Sequence, residues 1–193
     1  MVTTGFSRIH VAKYSASGSS VSYSACQELA RAKKMESDIT VTDDNRFHVN
    51  NQLGEIAPAR MKDGKLKLTV DGLSADEEAL ILGITETQLQ GTAVIKYGDN
   101  MKPPYLGVGA VKRMQLNGEV SYRAVIFNKV IFSVPGEGAE TEEDGITWQT
   151  QDLEATIMRD DSTEHDWKII PKTNFVSEDE AVDFIKKVLG GAA

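Results

Sequence analysis

Four groups of residues in this chain have side chains that could carry chemistry. Glu140, Glu142, Glu143 and Asp144 place four carboxylates within five positions, the raw material of a general acid–base pair. Asp160, Asp161, Glu164 and Asp166 offer a second acidic group that could ligate calcium. His10, His48 and His165 are the three histidines, and Cys26 is the single cysteine. Each group fails on spacing. The first lies in the Gly-rich run VPGEGAETEEDG over 134–145, a loop that cannot hold two carboxylates at a fixed catalytic separation. The second lacks the Asp-x-Asp-x-Asp-Gly order of a calcium loop and reads as a solvated turn. The histidines fall on different predicted elements with no metal-ligand spacing, and a lone cysteine forms neither a disulfide framework nor a thiolate cluster. The chain contains no GxxxxGK[ST] phosphate loop, no GxGxxG and no GxSxG elbow. Gly107 and Gly109 instead read as strand glycines at a bulge or at a close backbone approach. No catalytic residue, cofactor or metal is expected.

The elements that would have to position a site are mostly strands. KLKLTV over 65–70 alternates apolar with polar residues, as a strand with one buried face does. Asp71-Gly72 breaks that alternation, and Ser74 with Glu77 predicts a capping box opening a short central helix at 74–82. ALIL over 79–82 is apolar all round, which predicts burial, and Gly83 supplies the stop. Further strands are predicted over 6–14, 21–25, 27–41, 92–97, 106–132, 146–158 and 167–170. The 106–132 run is a hairpin turning at Asn117-Gly118, which sets Leu116 against Glu119, Val108 against Phe127 and Lys112 against Arg123. That last pair is a like-charge neighbour, and a carboxylate such as Asp152 or Glu154 on a third strand is expected to relieve it. A second capping box at Ser177 and Glu180 predicts a C-terminal helix over 177–189 with Val182, Ile185 and Leu189 on one face.

The stretch 43–64, DDNRFHVNNQLGEIAPARMKDG, is the least core-like. Its isolated apolar residues Phe47, Val49, Leu53 and Ile56 lack local partners, so it reads either as a mobile surface loop or, more sharply, as an arm that folds on a neighbouring subunit. Charge is the other constraint. Lys+Arg total 21 against 29 Asp+Glu, and a net charge of −8 opposes a surface that grips phosphates. No signal-peptide pattern or 18-residue apolar run is present, so the expectation is a soluble protein made in a cytoplasm.

The order of four segments adds a resemblance. GFSRIHVAKY, LTVDGLSADEEALILG, YGDNMKPPYLGVGAVKRM and ITWQTQDLEATIMRDD, spread from Gly5 to about Leu189, resemble the major tail protein family of long, non-contractile-tailed phages and prophages of Gram-positive bacteria. The segment LARAKKMESDITV and the acidic loop depart from the family pattern. The resemblance implies a single domain over 1–193, mainly β, a β-sandwich or partial barrel with a packed central helix and a C-terminal helix. It implies a structural virion protein, not an enzyme: hexameric rings stacked into a hollow tail tube through which DNA passes at ejection without specific binding. Partners would be further copies of the chain, the tape measure, the tail terminator and the distal tail proteins, in a virion tail and away from any membrane. Glu36, Asp38 and Glu55 are then candidates for an acidic lumen lining, with the acidic loop 137–144 as the competing source. Two alternatives have the same fold class: another ring-forming phage assembly protein, from a head–tail joint or a contractile-type tube, and a β-sandwich glycan-binding module.

Overall fold

The computed structural model describes residues 1–43, 45–49, 52–57, 59–99, 101–138 and 149–191. The chain opens with a long strand β1 (Val2–Ser17), a tight turn at Gly18 and the returning strand β2 (Ser20–Glu28). β3 (Ala32–Val41) leads to a separate hairpin of β4 (Asn45–Val49) and β5 (Gln52–Ala57), and then to β6 (Met61–Val70). Helix α1 (Ala75–Leu82) precedes a small hairpin of β7 (Thr87–Leu89) and β8 (Thr92–Val94). Next come β9 (Leu106–Leu116), β10 (Glu119–Phe132), β11 (Gln151–Met158) and the short β12 (Lys168–Ile169), and α2 (Glu178–Val188) closes the fold. The chain is mainly β.

Eight strands form one antiparallel sheet in the order β2-β1-β9-β10-β11-β6-β3, with β12 beside β10. β2 and β3 therefore stand at opposite ends of the sheet, yet only residues 29–31 join them. Four Cα steps reach at most about 15 Å, whereas seven strands laid flat would separate the ends by about 29 Å. The sheet must curl, and it does: Cα atoms of β1 and β3 approach within 8 Å. The link is tied to both sides, Leu29 N donating to Ile9 O at 2.8 Å and Asp71 N to Arg31 O at 3.1 Å.

Curling creates two apolar layers. Inside lie Ile9 and Val11 of β1, Leu66 and Leu68 of β6, Val108, Phe127 and Leu153, with Ile81 and Leu82 of α1 inserted among them. Outside, over β1, β9 and β10, α2 lays Ala181, Val182, Ile185 and Leu189 on Ala12, Val111, Ala124 and Ile126. Burying Val182, Ile185 and Leu189 stabilises this docking by about 1.5–3 kcal/mol each. Gly107 and Gly109 make it possible: a Cβ at Gly107 would stand 2.6 Å from Tyr23 Cε1 and 2.7 Å from Leu189 Cδ2, and one at Gly109 would overlap Ile185 Cγ2.

Local signals explain much of this. Asn117 (φ 50°) and Gly118 (φ 88°) form the expected two-residue turn, and the β9–β10 register sets Leu116 against Glu119, Val108 against Phe127 and Lys112 against Arg123. Ser74 and Glu77 close a complete capping box on α1, Glu77 Oε2 accepting from Ser74 N at 2.7 Å, and Gly83 ends the helix at φ 65°. Leu153, Ala155 and Ile157 are the buried face of β11, as their alternation predicts.

Several expectations are corrected. At the C-terminal helix only half a capping box forms: Ser177 Oγ accepts from Glu180 N at 3.2 Å, but the Glu180 carboxylate takes the N–H of Val176, one residue earlier. Leu80 is only half-buried, because α1 touches the core along one side and shows the other to solvent. The predicted strand 27–41 is broken at 29–31, where the chain crosses from one end of the sheet to the other. The 92–97 strand ends at Val94, and its partner β7 escapes the sequence because Gln90-Gly91 (φ 51° and 82°) turns without the usual Asn or Asp. Residues 61–64 belong to the sheet and not to the arm. Met61 is buried, and a Cβ on Gly64 would lie 2.6 Å from Ile39 Cδ1. Asp152 and Glu154 do not relieve Lys112 and Arg123. They face Thr69 and Lys67 across β6, and Arg123 Nε instead donates to Asn174 Oδ1 at 2.8 Å.

Candidate functional site

Of the residues that could do chemistry, Asp160, Asp161, His10, His165 and Cys26 are described with their surroundings. Asp160 is buried and accepts from Asn128 Nδ2 (2.9 Å), Ser162 N (3.1 Å) and Ser162 Oγ (2.5 Å), closing the turn into β12. Asp161 accepts from Lys129 Nζ (2.6 Å) and Tyr14 Oη (2.7 Å), and these two donors hold its carboxyl below the ordinary carboxylate value. The Lys129 ammonium stacks over Tyr105 and Tyr14, at 4.6 and 5.1 Å from the ring centroids, so the cluster ties β1 and β10 to the segment that leads into β9. His10 is buried with Nδ1 3.2 Å from Arg8 O, His165 Nδ1 is 3.3 Å from Asp160 O, and His48 lies on the separate β4–β5 hairpin. Burial pushes the Cys26 thiol upward, the direction of an unreactive thiol. Among the described residues no three His, Cys, Asp or Glu side chains converge to hold a metal ion. Glu140, Glu142, Glu143 and Asp144 lie outside the described residues, with the rest of the acidic loop 134–145 beyond Gly138 and the first three residues, 146–148, of the predicted 146–158 strand.

What the fold presents instead are edges and an outlying hairpin. Among the described residues β2 pairs only with β1 and β3 only with β6 within the sheet, so each end carries an edge of backbone groups. Beyond β3, Thr42 and Arg60 clamp the neck of the β4–β5 hairpin, Thr42 N donating to Arg60 O (2.8 Å) and Arg60 N to Thr42 Oγ1 (3.0 Å). The predicted arm is therefore a two-stranded hairpin over 45–57, not an irregular connection. Neither core includes any side chain described on it. Leu53 and Ile56 are 50% and 47% exposed, and Phe47 and Val49 lie on its other strand. A two-stranded hairpin is marginal by itself in water.

The three lumen candidates are only partly brought together. Glu36 and Asp38 are exposed two residues apart on β3, so they share a face, while Glu55 is exposed on the hairpin. On the β3-β6-β11 face the acids alternate with lysines. Glu36 stands opposite Lys67 and Asp38 opposite Lys65, Lys34 Nζ lies 2.7 Å from Glu36, and Lys67 Nζ lies 3.0 Å from Glu154. Lys34, Lys65 and Lys67 against Glu36, Asp38, Asp63, Asp152 and Glu154 leave two net negative charges there. The sequence showed these acids but not the lysines opposite them, since register across β3 and β6 is a tertiary fact.

No family model matches the chain, and none of the curated proteins compared with it does. No helix among the described residues is long and apolar enough to cross a membrane.

Proposed function

We propose that this chain is a structural subunit that self-assembles, and specifically a tail tube subunit whose hexameric rings stack into the conduit of a long non-contractile phage tail. The observation that carries the reading is the β4–β5 hairpin. It is clamped at its neck, has its own paired register, and yet offers Leu53 and Ile56 to solvent, away from both cores. Such an element gains stability by lying on another molecule. The curled sheet with an open edge at each end supports the same reading as a partial barrel, since open edges are liabilities unless neighbours complete them. Repeating one heterologous contact around an axis closes a ring, and repeating it along the axis builds a filament.

In such a tube a wall drawn from the β3-β6-β11 face would be a ladder of balanced pairs with a small acidic excess. Glu36 and Asp38, with Glu55 from the hairpin, would add negative charge without a row of free phosphate-binding cations, so DNA would slide and not stick. The glycan-binding alternative has little support: of the exposed tyrosines, Tyr105 stacks against Tyr14 and Lys129, and Tyr97 hydrogen-bonds Glu78.

The test is negative-stain microscopy with sedimentation velocity on the purified chain. Rings or tubes are the expected result. Replacing 45–56 by a short Gly-Ser turn should leave a folded subunit, by circular dichroism and melting, that forms neither. A wild-type chain that stays monomeric at high concentration refutes the assembly reading, and normal tubes from the trimmed chain refute the role of the hairpin.

A further inference from the structure

The relief expected for the Lys112–Arg123 pair is missing among the described residues, and the consequence reaches beyond the subunit. The two residues are directly opposed on β9 and β10, so their side chains share one face of the sheet. Lys168 joins them. It pairs with Phe127, four residues along β10 from Arg123, which puts it on that same face, and its ammonium lies over the Phe127 ring at 5.7 Å. All three side chains are half-buried. None takes part in an ion pair among the described residues, where every pair found uses other cations. Burial, with the nearby Lys112 charge, holds the Lys168 ammonium below its ordinary value. Glu119 shares the face but is four residues from Arg123, roughly 13 Å along the strand. The Asn174 amide supplies Arg123 with a neutral acceptor only.

One exposed apolar side chain lies against Arg123. Met1, 54% exposed, places its sulfur 3.1 Å from Asn174 Nδ2 and 4.0 Å from Arg123 Nη2.

We infer that Lys112, Arg123 and Lys168 form a carboxylate-binding contact for a second copy of this chain. The occupant is indicated by charge. The chain carries 29 acidic against 21 basic residues, so a copy of itself is rich in carboxylates, while this corner holds three cations that no carboxylate among the described residues pairs with. A partner carboxylate set between Lys112 and Arg123 turns a like-charge repulsion into two charge-assisted contacts. The inference rests on the self-assembly reading and gives it an electrostatic joint separate from the β4–β5 hairpin.

The experiment compares the wild-type full chain with the double variant Lys112→Gln, Arg123→Gln and with a control of equal charge change, Lys33→Gln, Lys62→Gln, at exposed sites elsewhere. Assembly is measured by light scattering and sedimentation at low and high salt. The expected result is that the first variant needs at least about tenfold more protein to assemble and loses much of the salt dependence. Its unassembled form should melt close to wild type, because removal of the like-charge pair offsets loss of the Arg123–Asn174 hydrogen bond, and the control should assemble normally. Equal behaviour of both variants, or normal assembly by the first, overturns the contact. If inorganic phosphate at matched ionic strength stabilises wild type but not the first variant, while assembly is unaffected by the substitutions, the cluster is a small-anion site and the copy-to-copy contact is overturned. A wild-type chain that never assembles sinks the assembly reading itself, and this contact with it.

Discussion

Gly109→Ala should loosen the docking of α2, and the structure allows the size of the effect to be worked out. A methyl at this position overlaps Ile185 Cγ2 and stands 3.3 Å from Cγ1 and 3.4 Å from Cβ. Ile185 is fully buried and so cannot swing into water. Either its rotamer or the helix axis must move, and overpacking of this kind costs about 1–3 kcal/mol. Removing a glycine also restricts the unfolded chain, which returns about 0.4–1 kcal/mol. A net loss of roughly 1–2 kcal/mol is expected, a drop of about 2–8 °C in Tm for a chain of this size. Truncating the obstructing side chain separates the cause from general damage. Ile185→Ala alone should cost about 2–5 kcal/mol through its cavity. The added methyl has room in the double variant, so the two costs should sum to more than the double variant shows, with a coupling of about 0.5–3 kcal/mol. Urea unfolding monitored by circular dichroism, at constant m-value, measures all three. Strict additivity would mean that Ile185 does not rest on Gly109, and the glycine account of how α2 seats would fail.

Burial gives two further expectations. Ile81→Asp puts an unpaired carboxylate inside the curl and should cost more than about 4 kcal/mol, whereas Leu80→Asp, half-buried on the same helix, should cost only about 1–2 kcal/mol; equal losses in thermal melts would show that α1 does not present the face described. His10 is buried and burial holds its pKa below 6.5, against which the Arg8 carbonyl and Glu28 pull upward and Lys186 and Arg8 push down. The folded state therefore binds fewer protons than the unfolded chain below pH 6.5, so stability is full above that pH and falls as pH drops below it. His10→Gln should flatten that part of the stability–pH profile, and an unchanged slope would remove His10 as its source.

The local parts of this fold were legible in the sequence because short-range chemistry determines them. Asn117-Gly118 turns the longest hairpin since both residues accept positive φ, and alternation on either side then sets every cross-strand pair from Leu116–Glu119 to Val108–Phe127. Ser74, Glu77 and Gly83 start and stop α1 through bonds that span only a few residues. The glycines of β9 signalled a bulge or a close backbone approach, whereas what approaches them is the side chains of Tyr23, Ile185 and Leu189. The resemblance to tail tube subunits likewise came from the order of segments, and it stands as a proposal. Tertiary structure alone decided what depends on which distant segments meet. Residues 29–31 look like any short link, yet they force the whole sheet to curl because they join its two ends. The arm looked irregular because its strands satisfy one another's backbone without an apolar face toward the core, so no alternation was imposed on them. Asp152 and Glu154 were plausible partners for Lys112 and Arg123 until strand order placed β6 beside them and gave them Thr69 and Lys67. A charge can be read from sequence, but the charge it meets is set by sheet order and register, which long-range packing chooses.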